Sequence, residues 1–388
     1  MTFISCFSRI FAENFGMKIG FDAKRAFNNA RGLGNYSRDT VRILSSQFID
    51  NQYFLFTPKI NSDIPFPVPD NCEVVLPTGL ISRQLPSAWR TFGIAQEAAG
   101  RQIELYHGLS HELPVGIEKK KIATVVTMHD LIFMKFPQLY PALDRAMYKR
   151  KYLRSCEIAN RVIAISEQTK RDLMELGGVD EAKIDVVYQG CSPIFRQPVS
   201  DAQAEAVRQK YHLPAQFVLS IGALEERKNH ILIMRALAEQ NLDFPLVVVG
   251  NETDYTPKLR EYIAEHHLEN RVTLLNGVPF AEFPALYRCA SLFVYPSLFE
   301  GFGIPVLEAL TMGVPVISAT GSCLEESGGP ESRYVSPTNA DELGQQMVEV
   351  LSDSALQRTM IAAGTDFAQK FSDEAIARNL WKSYELAM

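Results

Sequence analysis

No apolar run in the 388-residue chain approaches the ~20 residues that a membrane-spanning helix needs. Cysteine is sparse and scattered. The six (Cys6, Cys72, Cys156, Cys191, Cys289, Cys323) form no Cys-x-x-Cys pair and no Cys/His cluster. That excludes a zinc ribbon or finger and reads as free thiols in a reducing compartment. Positive charge is not in excess: 39 Lys and Arg stand against 45 Asp and Glu, a net charge of −6. A surface built wholly to grip nucleic acid is therefore excluded, although a local basic patch is not. No Asp-x-Asp pair occurs, so a metal-bound diphosphate has no obvious carboxylate ligands. No repeat of fixed period is visible.

What is present is ordinary for a globular protein, with 46% hydrophobic and 22% charged residues. The length allows roughly two domains of about 150 residues each. Residues 1–16 stand apart. Phe3, Phe7, Phe11 and Phe15 recur every four residues, as on one helix face. Arg9 and Glu13 interrupt the segment and a basic start is missing, so it makes a poor signal peptide. A short interfacial helix and a leader ahead of a first strand at Met17 are the two readings.

Short apolar runs alternate with helical patterns from there on. Strands are expected at "MKIGFDA", "QYFLFT", "CEVVLP", "IELYHG", "IATVVTMHD", "RVIAIS" and "IDVVYQG". Helices are expected at "GNYSRDTVRILSSQF", beginning near Asn35, at "QLYPALDRAMYKRKYLRSCEIA" and at "SEQTKRDLMELG". In the last, Ser166 reads as the N-cap and Gly177 as the stop. The stretch "CSPIFRQPVSDAQAEAVRQKYHLPAQ", with three prolines, reads as a linker. A second alternation follows: "FVLSIG", "FPLVVVG", "RVTLLNG", "SLFVYPS", "VPVISA" and "RYVSP". Continuous apolar strands joined by helices imply parallel sheets covered on both faces. The expectation is two doubly wound α/β domains facing a cleft, with ligands outside the carboxyl ends of strands.

Strand-end residues therefore carry the functional reading. After "SLFVYPS" comes "LFEGFGIPVLEALTMG". Gly301 and Gly303 let backbone approach a ligand without Cβ interference. Pro305 suits the first helical position, and the free N–H groups of a helix start favour an anion. Glu308, expected in about the first turn, can accept hydrogen bonds from a sugar diol or simply complement the helix dipole. Glu300 precedes the helix and has no such structural excuse. In "SIGALEERKNH" a strand ends at Gly222 and a helix is expected from near Asn229. Arg227 and Lys228 between them can clamp a diphosphate, Arg as a fork and Lys as a point charge; an exposed basic pair is the plainer alternative. In "NNARGLGNYSRD", Gly32 and Gly34 resemble a phosphate-cradling loop, but Ser37 holds the place of a third glycine, which disfavours a Rossmann dehydrogenase. "TMHDLIF" puts His129 and Asp130 at a strand end, where a histidine is as often structural as functional. Arg145, Lys149, Arg150, Lys151 and Arg154, with interleaved tyrosines, form either a solvated helix face or a dock for anionic lipid or a lipid-diphosphate acceptor.

Taken together, "EGFGIPVLEALTMGVPVI" resembles the Glu-x7-Glu motif of retaining GT-B glycosyltransferases. "GALEERKN" is similar to that group's phosphate clamp, and "AISEQTKRDL" to its strand–Ser–helix element. The resemblance covers Met17 to the C-terminus. It implies two Rossmann-like domains about a central cleft: an acceptor-side domain over 17–195, a nucleotide-sugar domain over 196–371, and a last helix, 372–388, crossing back to the first. By the same resemblance Arg227 and Lys228 bind the diphosphate, Glu308 the ribose, and Glu300 the donor hexose. Backbone from Gly301 through Phe302 and Gly303 to Ile304, with Gly222 nearby, contacts sugar and phosphate. His129 sits beside the reacting centre and Gly34 approaches the diphosphate. The resemblance further implies retaining, metal-independent transfer without a cofactor, in which the leaving phosphate helps to deprotonate the acceptor. GDP-mannose is the favoured donor and UDP-glucose the next. The acceptor is a glycan or lipid-linked molecule of surface polysaccharide or glycolipid synthesis, handled in the cytoplasm or at the cytoplasmic membrane surface. Two departures stand out: Gly-x-Gly replaces the adjacent glycine pair of many members, and Asn251 and Glu252 follow "VVVG" where a second glycine is common. The competing classes are a GT-B sugar-nucleotide epimerase, which needs its own acid/base set, and a non-catalytic sugar-binding module, which does not need the adjacent cations.

Overall fold

All thirteen strand expectations fall on strands of the computed structural model, which describes residues 16–388. The Phe3–Phe15 pattern, and with it the leader reading, lies outside the described residues. The first sheet holds seven strands in the order β3-β2-β1-β4-β5-β6-β7. They are β1 (Lys18–Asp22), β2 (Gln52–Phe56), β3 (Cys72–Val75), β4 (Leu105–Gly108), β5 (Ala123–Met128), β6 (Arg161–Ala164) and β7 (Ile184–Val186). The second holds six in the order β10-β9-β8-β11-β12-β13. These are β8 (Val218–Ile221), β9 (Leu246–Val249), β10 (Val272–Leu275), β11 (Leu292–Tyr295), β12 (Val316–Ala319) and β13 (Arg333–Val335).

Every strand pairing among the described residues is parallel. Helices cover the faces, so strands such as "LVVV" are buried throughout and need no polar alternation. The first unit's core joins Phe54, Tyr106, Val126, Val162 and Ala164. The second joins Leu232, Leu237, Val248, Val294, Ile317 and Met347. In each sheet the order reverses once: between β1 and β4 in the first, between β8 and β11 in the second. Loops at such a reversal diverge and leave a crevice at the strands' carboxyl ends.

The described residues divide into two compact units, one gathering residues 16–165, Thr169–Tyr188 and Asp373–Met388, the other Ser166–Gln168 and Gln189–Ser372. The last helix, Asp373–Ala387, thus belongs to the first unit. Trp381 stacks on Phe48 with ring centres 4.2 Å apart. Arg42 Nη1 reaches Asp373 at 2.6 Å, and Ser383 Oγ donates to Asp185 at 2.7 Å.

Three local readings are corrected. The supposed linker folds: Pro193–Arg196 is a 3-10 turn and Asp201–Lys210 a helix. Ser200 accepts from the Gln203 N–H while the Gln203 side chain accepts from the Ser200 N–H, a reciprocal cap legible as Ser-x-x-Gln. The helix expected from Asn35 starts at Gly32 and runs to Gln47. In the Glu167–Glu175 helix the left-handed position after the stop is Gly178, φ 64°, rather than Gly177.

Candidate functional site

The second unit brings most of the expected residues to one place. The loop after β8 carries Arg227 and Lys228 in a 3-10 turn, Glu226–Lys228, and ends on Asn229 in the left-handed region, φ 57°. The loop after β11 carries Ser297 to Gly303. The two are tied together: the Leu298 N–H donates to the Arg227 carbonyl at 2.9 Å, and Asn229 Nδ2 donates to the Pro296 carbonyl at 3.0 Å. Both loops leave strands that flank the reversal of the sheet.

Glu300 is the hub. Its Oε1 accepts from Lys228 Nζ at 2.7 Å, Ser297 Oγ at 2.7 Å and Tyr295 OH at 3.0 Å, with Arg227 Nη1 at 2.9 Å. Its Oε2 accepts no hydrogen bond among the described residues. Burial pushes the carboxyl pKa up, but the Lys228 and Arg227 charges outweigh it and hold the group at about 2, so it is ionised. Burial also lowers the Lys228 ammonium, Glu300 pulls it back, and Arg227 lowers it further. Burial opposes the Arg227 charge too, yet Glu300 and Glu225 raise its pKa. The exposed basic pair is therefore ruled out: both cations are largely buried and share one carboxylate oxygen. Arg227 also donates to the Phe299 carbonyl at 2.6 Å and to Glu225 at 2.7 Å, which fixes the guanidinium plane. Gly222 makes room for this arrangement, since a Cβ there would meet the Lys228 side chain at 3.2 Å.

The helix after the loop is Ile304–Thr311, capped by Gly303 at φ 99°, ψ 48°. A Cβ on Gly303 would lie 2.6 Å from Leu324 Cδ2 and 2.8 Å from Ser327 Oγ, so only glycine fits. Pro305 takes the second helical position rather than the first. Phe302 turns its ring inward, 5.5 Å from Phe371, and offers only backbone to a ligand. Glu308 lies in the second turn, not the first, so complementing the helix dipole does not explain it. It is buried, and its Oε2 accepts from Tyr287 OH at 2.9 Å. Burial lifts its pKa to about 7, against the lowering by the Tyr287 bond. Its Oε1 takes no hydrogen bond among the described residues. Each glutamate thus spends one oxygen on the protein and keeps one.

In the first unit His129 follows β5 and is 5% exposed. Its Nε2 lies 2.9 Å from the Leu109 carbonyl. A carbonyl only accepts, so Nε2 carries the proton and Nδ1 is the basic nitrogen. Burial lowers its pKa to about 4, with Leu109 opposing, which leaves the ring neutral at pH 7. Tyr36 packs edge-on at 4.6 Å, and its OH is 3.0 Å from Thr127 Oγ1. That hydroxyl is 2.8 Å from His107 Nε2, and His107 Nδ1 is 2.7 Å from Tyr384 OH. A chain of hydrogen bonds therefore runs from the last helix to the ring that braces His129. Gly34 lies inside the Gly32–Gln47 helix, where a Cβ would sit 1.7 Å from the Asn29 carbonyl. The neighbouring backbone uses its missing side chain.

The basic helix is Ala142–Ile158. Lys151 pairs with Glu112 at 3.5 Å and Arg154 with Glu118 at 3.2 Å, while Leu143 is 82% exposed. Tyr295, Ser297 and Tyr287 were not singled out in the sequence. The continuous apolar run "LFVY" is buried throughout, Tyr295 included, which hides a hydroxyl whose partner only the fold reveals.

Residues 30–193 match the family model described as Glycosyltransferase Family 4, and residues 203–367 that described as Glycosyl transferases group 1. The chain is 30% identical to O-antigen chain mannosyltransferase B of Escherichia coli over 288 residues, 73% of this chain and 74% of that protein. It is 28% identical to the serotype-specific mannosyltransferase WbdA of Escherichia coli over 283 residues, 70% of this chain but only 34% of that longer protein. The fold matches Anabaena HepE, solved with UDP and glucose, at TM-score 0.74 and 19% identity, covering 95% of this chain and 99% of that one. It matches sucrose-phosphate synthase of Thermosynechococcus elongatus at TM-score 0.76 and 23% identity, covering 95% and 98%. With both halves of the chain matched in order, a relative at this level of identity and the same pair of parallel sheets, the chain belongs to the group 1 glycosyl transferases and is a glycosyltransferase of GT-B fold.

Proposed function

We propose that the protein is a retaining hexosyltransferase that moves mannose from GDP-mannose, with glucose from UDP-glucose as second choice, to a glycan or lipid-linked acceptor in surface polysaccharide synthesis. The observation that carries this reading is the Arg227–Lys228–Glu300 cluster at the sheet reversal. Two largely buried cations held by one carboxylate oxygen are suited to turn towards a diphosphate, whose charge replaces that of Glu300. The open Oε2 of Glu300 then accepts from the hexose hydroxyls, and Glu308 Oε1 from the ribose. The Gly303 carbonyl takes the Val306 N–H and Pro305 has no N–H, which leaves the Gly303 and Ile304 N–H groups at this helix start to meet the phosphates.

In the reaction the bond from the sugar's anomeric carbon to the leaving phosphate oxygen breaks. A bond to the acceptor oxygen forms on the same face, and the acceptor proton passes to the leaving phosphate. Arg227 and Lys228 stabilise the charge that grows on the diphosphate without a metal ion. Neutral His129 offers Nδ1 to a sugar hydroxyl. The mannosyltransferase relatives favour mannose, and the UDP and glucose bound to HepE keep glucose second. The five cysteines among the described residues are all free, which fits work in the cytoplasm. The exposed Leu143 on the same helix as the exposed Lys149 and Arg150 fits peripheral contact with an anionic membrane surface.

Transfer from GDP-mannose to oligomannose acceptors tests the reading. Glu300→Ala and Lys228→Ala are expected to abolish it while the melting profile shows a folded protein. Full activity in both variants rejects the assignment.

A further inference from the structure

The reversal of the first sheet gathers a second set of cations. The chain leaving β1 carries Lys24 and Arg25. The chain leaving β4 carries Leu109, Ser110 and His111, and the chain leaving β5 carries His129. Two nearby acids are already committed. Asp22 accepts from Arg90 Nε at 3.0 Å and from its Nη2 at 2.5 Å. Glu112 takes Arg90 Nη1 at 3.1 Å and Lys151 at 3.5 Å. Lys24 Nζ and the Arg25 guanidinium have neither hydrogen bond nor ion pair among the described residues, although both residues are partly buried.

Burial lowers the Lys24 pKa most, the Arg90 and Arg25 charges lower it further, and Asp22 and Glu112 offset part of the effect. The Arg25 charge also reaches His111 and His129. Ser110 adds an independent sign. It is 4% exposed, and its Oγ has no hydrogen-bond partner. A buried hydroxyl left unpaired costs free energy, as do cations drawn from water without a counter-charge. A ligand that brings acceptor oxygens and negative charge relieves both.

We propose that Lys24 and Arg25, with the Ser110 hydroxyl, bind a phosphate group carried by the acceptor, next to His129. This rests on the transferase reading and adds to it that the acceptor is anionic. A phosphate at this point has two sources, the acceptor and the donor's diphosphate. The acceptor is favoured because the second unit supplies Arg227 and Lys228 for the donor.

The test uses the full chain and ligand-observed NMR. Mannose 1-phosphate and mannose are titrated with GDP present in excess, so that donor sites are filled. Wild type is expected to prefer the phosphate by about tenfold or more, the scale of charge-assisted hydrogen bonds. Lys24→Ala with Arg25→Ala removes that preference and leaves the affinities for mannose and GDP unchanged. No preference in wild type, or a preference that survives the double variant, overturns the proposal. So does a loss of GDP affinity in the double variant, which assigns the phosphate to the donor. If the double variant melts early, the single changes Lys24→Gln and Arg25→Gln give the same readout. Lys228→Ala is run in parallel. Unchanged GDP-mannose binding there overturns the transferase reading, and with it the acceptor assignment, and is told apart from a failure at Lys24 and Arg25 by the phosphate preference itself.

Discussion

Replacing Glu308 with glutamine separates the cost of burying a carboxylate from its use. The folded carboxyl titrates at about 7 against an ordinary value of 4.5, mainly because burial disfavours its charge. Native protein therefore binds more protons than unfolded chain between those values. Stability contributed by the neutral acid is complete below about pH 4.5, falls as the pH rises, and is gone above about 7. The separation of about 2.5 pH units is worth roughly 3 kcal/mol. Glutamine keeps an oxygen to accept from Tyr287 OH and never ionises. Glu308→Gln is thus expected to match wild type at pH 5 and to exceed it by roughly 2–3 kcal/mol at pH 8.5. For a unit of this size that raises the second unit's melting temperature by roughly 5–10 °C. Donor binding moves the other way. The ribose needs the carboxylate, so wild-type affinity at pH 6 is about tenfold below its value at pH 8, the fraction ionised setting the ratio. The variant binds weakly at both. Calorimetric melting and donor titration at the two pH values decide the matter. A Glu308→Gln variant less stable than wild type at pH 8.5, or donor affinity flat from pH 6 to 8, refutes the reasoning.

Two further outcomes follow from packing. Gly303→Ala forces a Cβ against Leu324 and Ser327 at a φ of 99°, so it should cost about 2 kcal/mol or more in denaturant unfolding and depress donor affinity. Tyr384→Phe leaves the buried His107 Nδ1 without its partner at 2.7 Å, and should lower first-unit stability by roughly 1–3 kcal/mol while donor affinity stays unchanged.

Much of the frame was legible because parallel strands buried on both faces read as short apolar runs. "LVVV" and "RVIA" have no other way to be satisfied. The stretch from Cys191 to Gln216 reads as a linker because of its prolines and polar residues, although Ser200 and Gln203 spell out a helix cap. At the site, Glu300, Arg227 and Lys228 stood out by residue type. Their convergence on one oxygen did not, because it depends on two loops 72 residues apart meeting at a sheet reversal. Tyr287 escaped for a different reason. A tyrosine in an apolar helix looks like core, and its ring is core; only the hydroxyl reaches Glu308.

The central claim is that the Arg227–Lys228–Glu300 cluster holds the donor diphosphate. Isothermal titration of GDP-mannose into wild type and into Arg227→Ala with Lys228→Ala tests it most directly. The account predicts binding to wild type and a loss of about a hundredfold or more in the double variant, as two charge-assisted contacts imply. Equal affinity in the two proteins, with both folded, contradicts it.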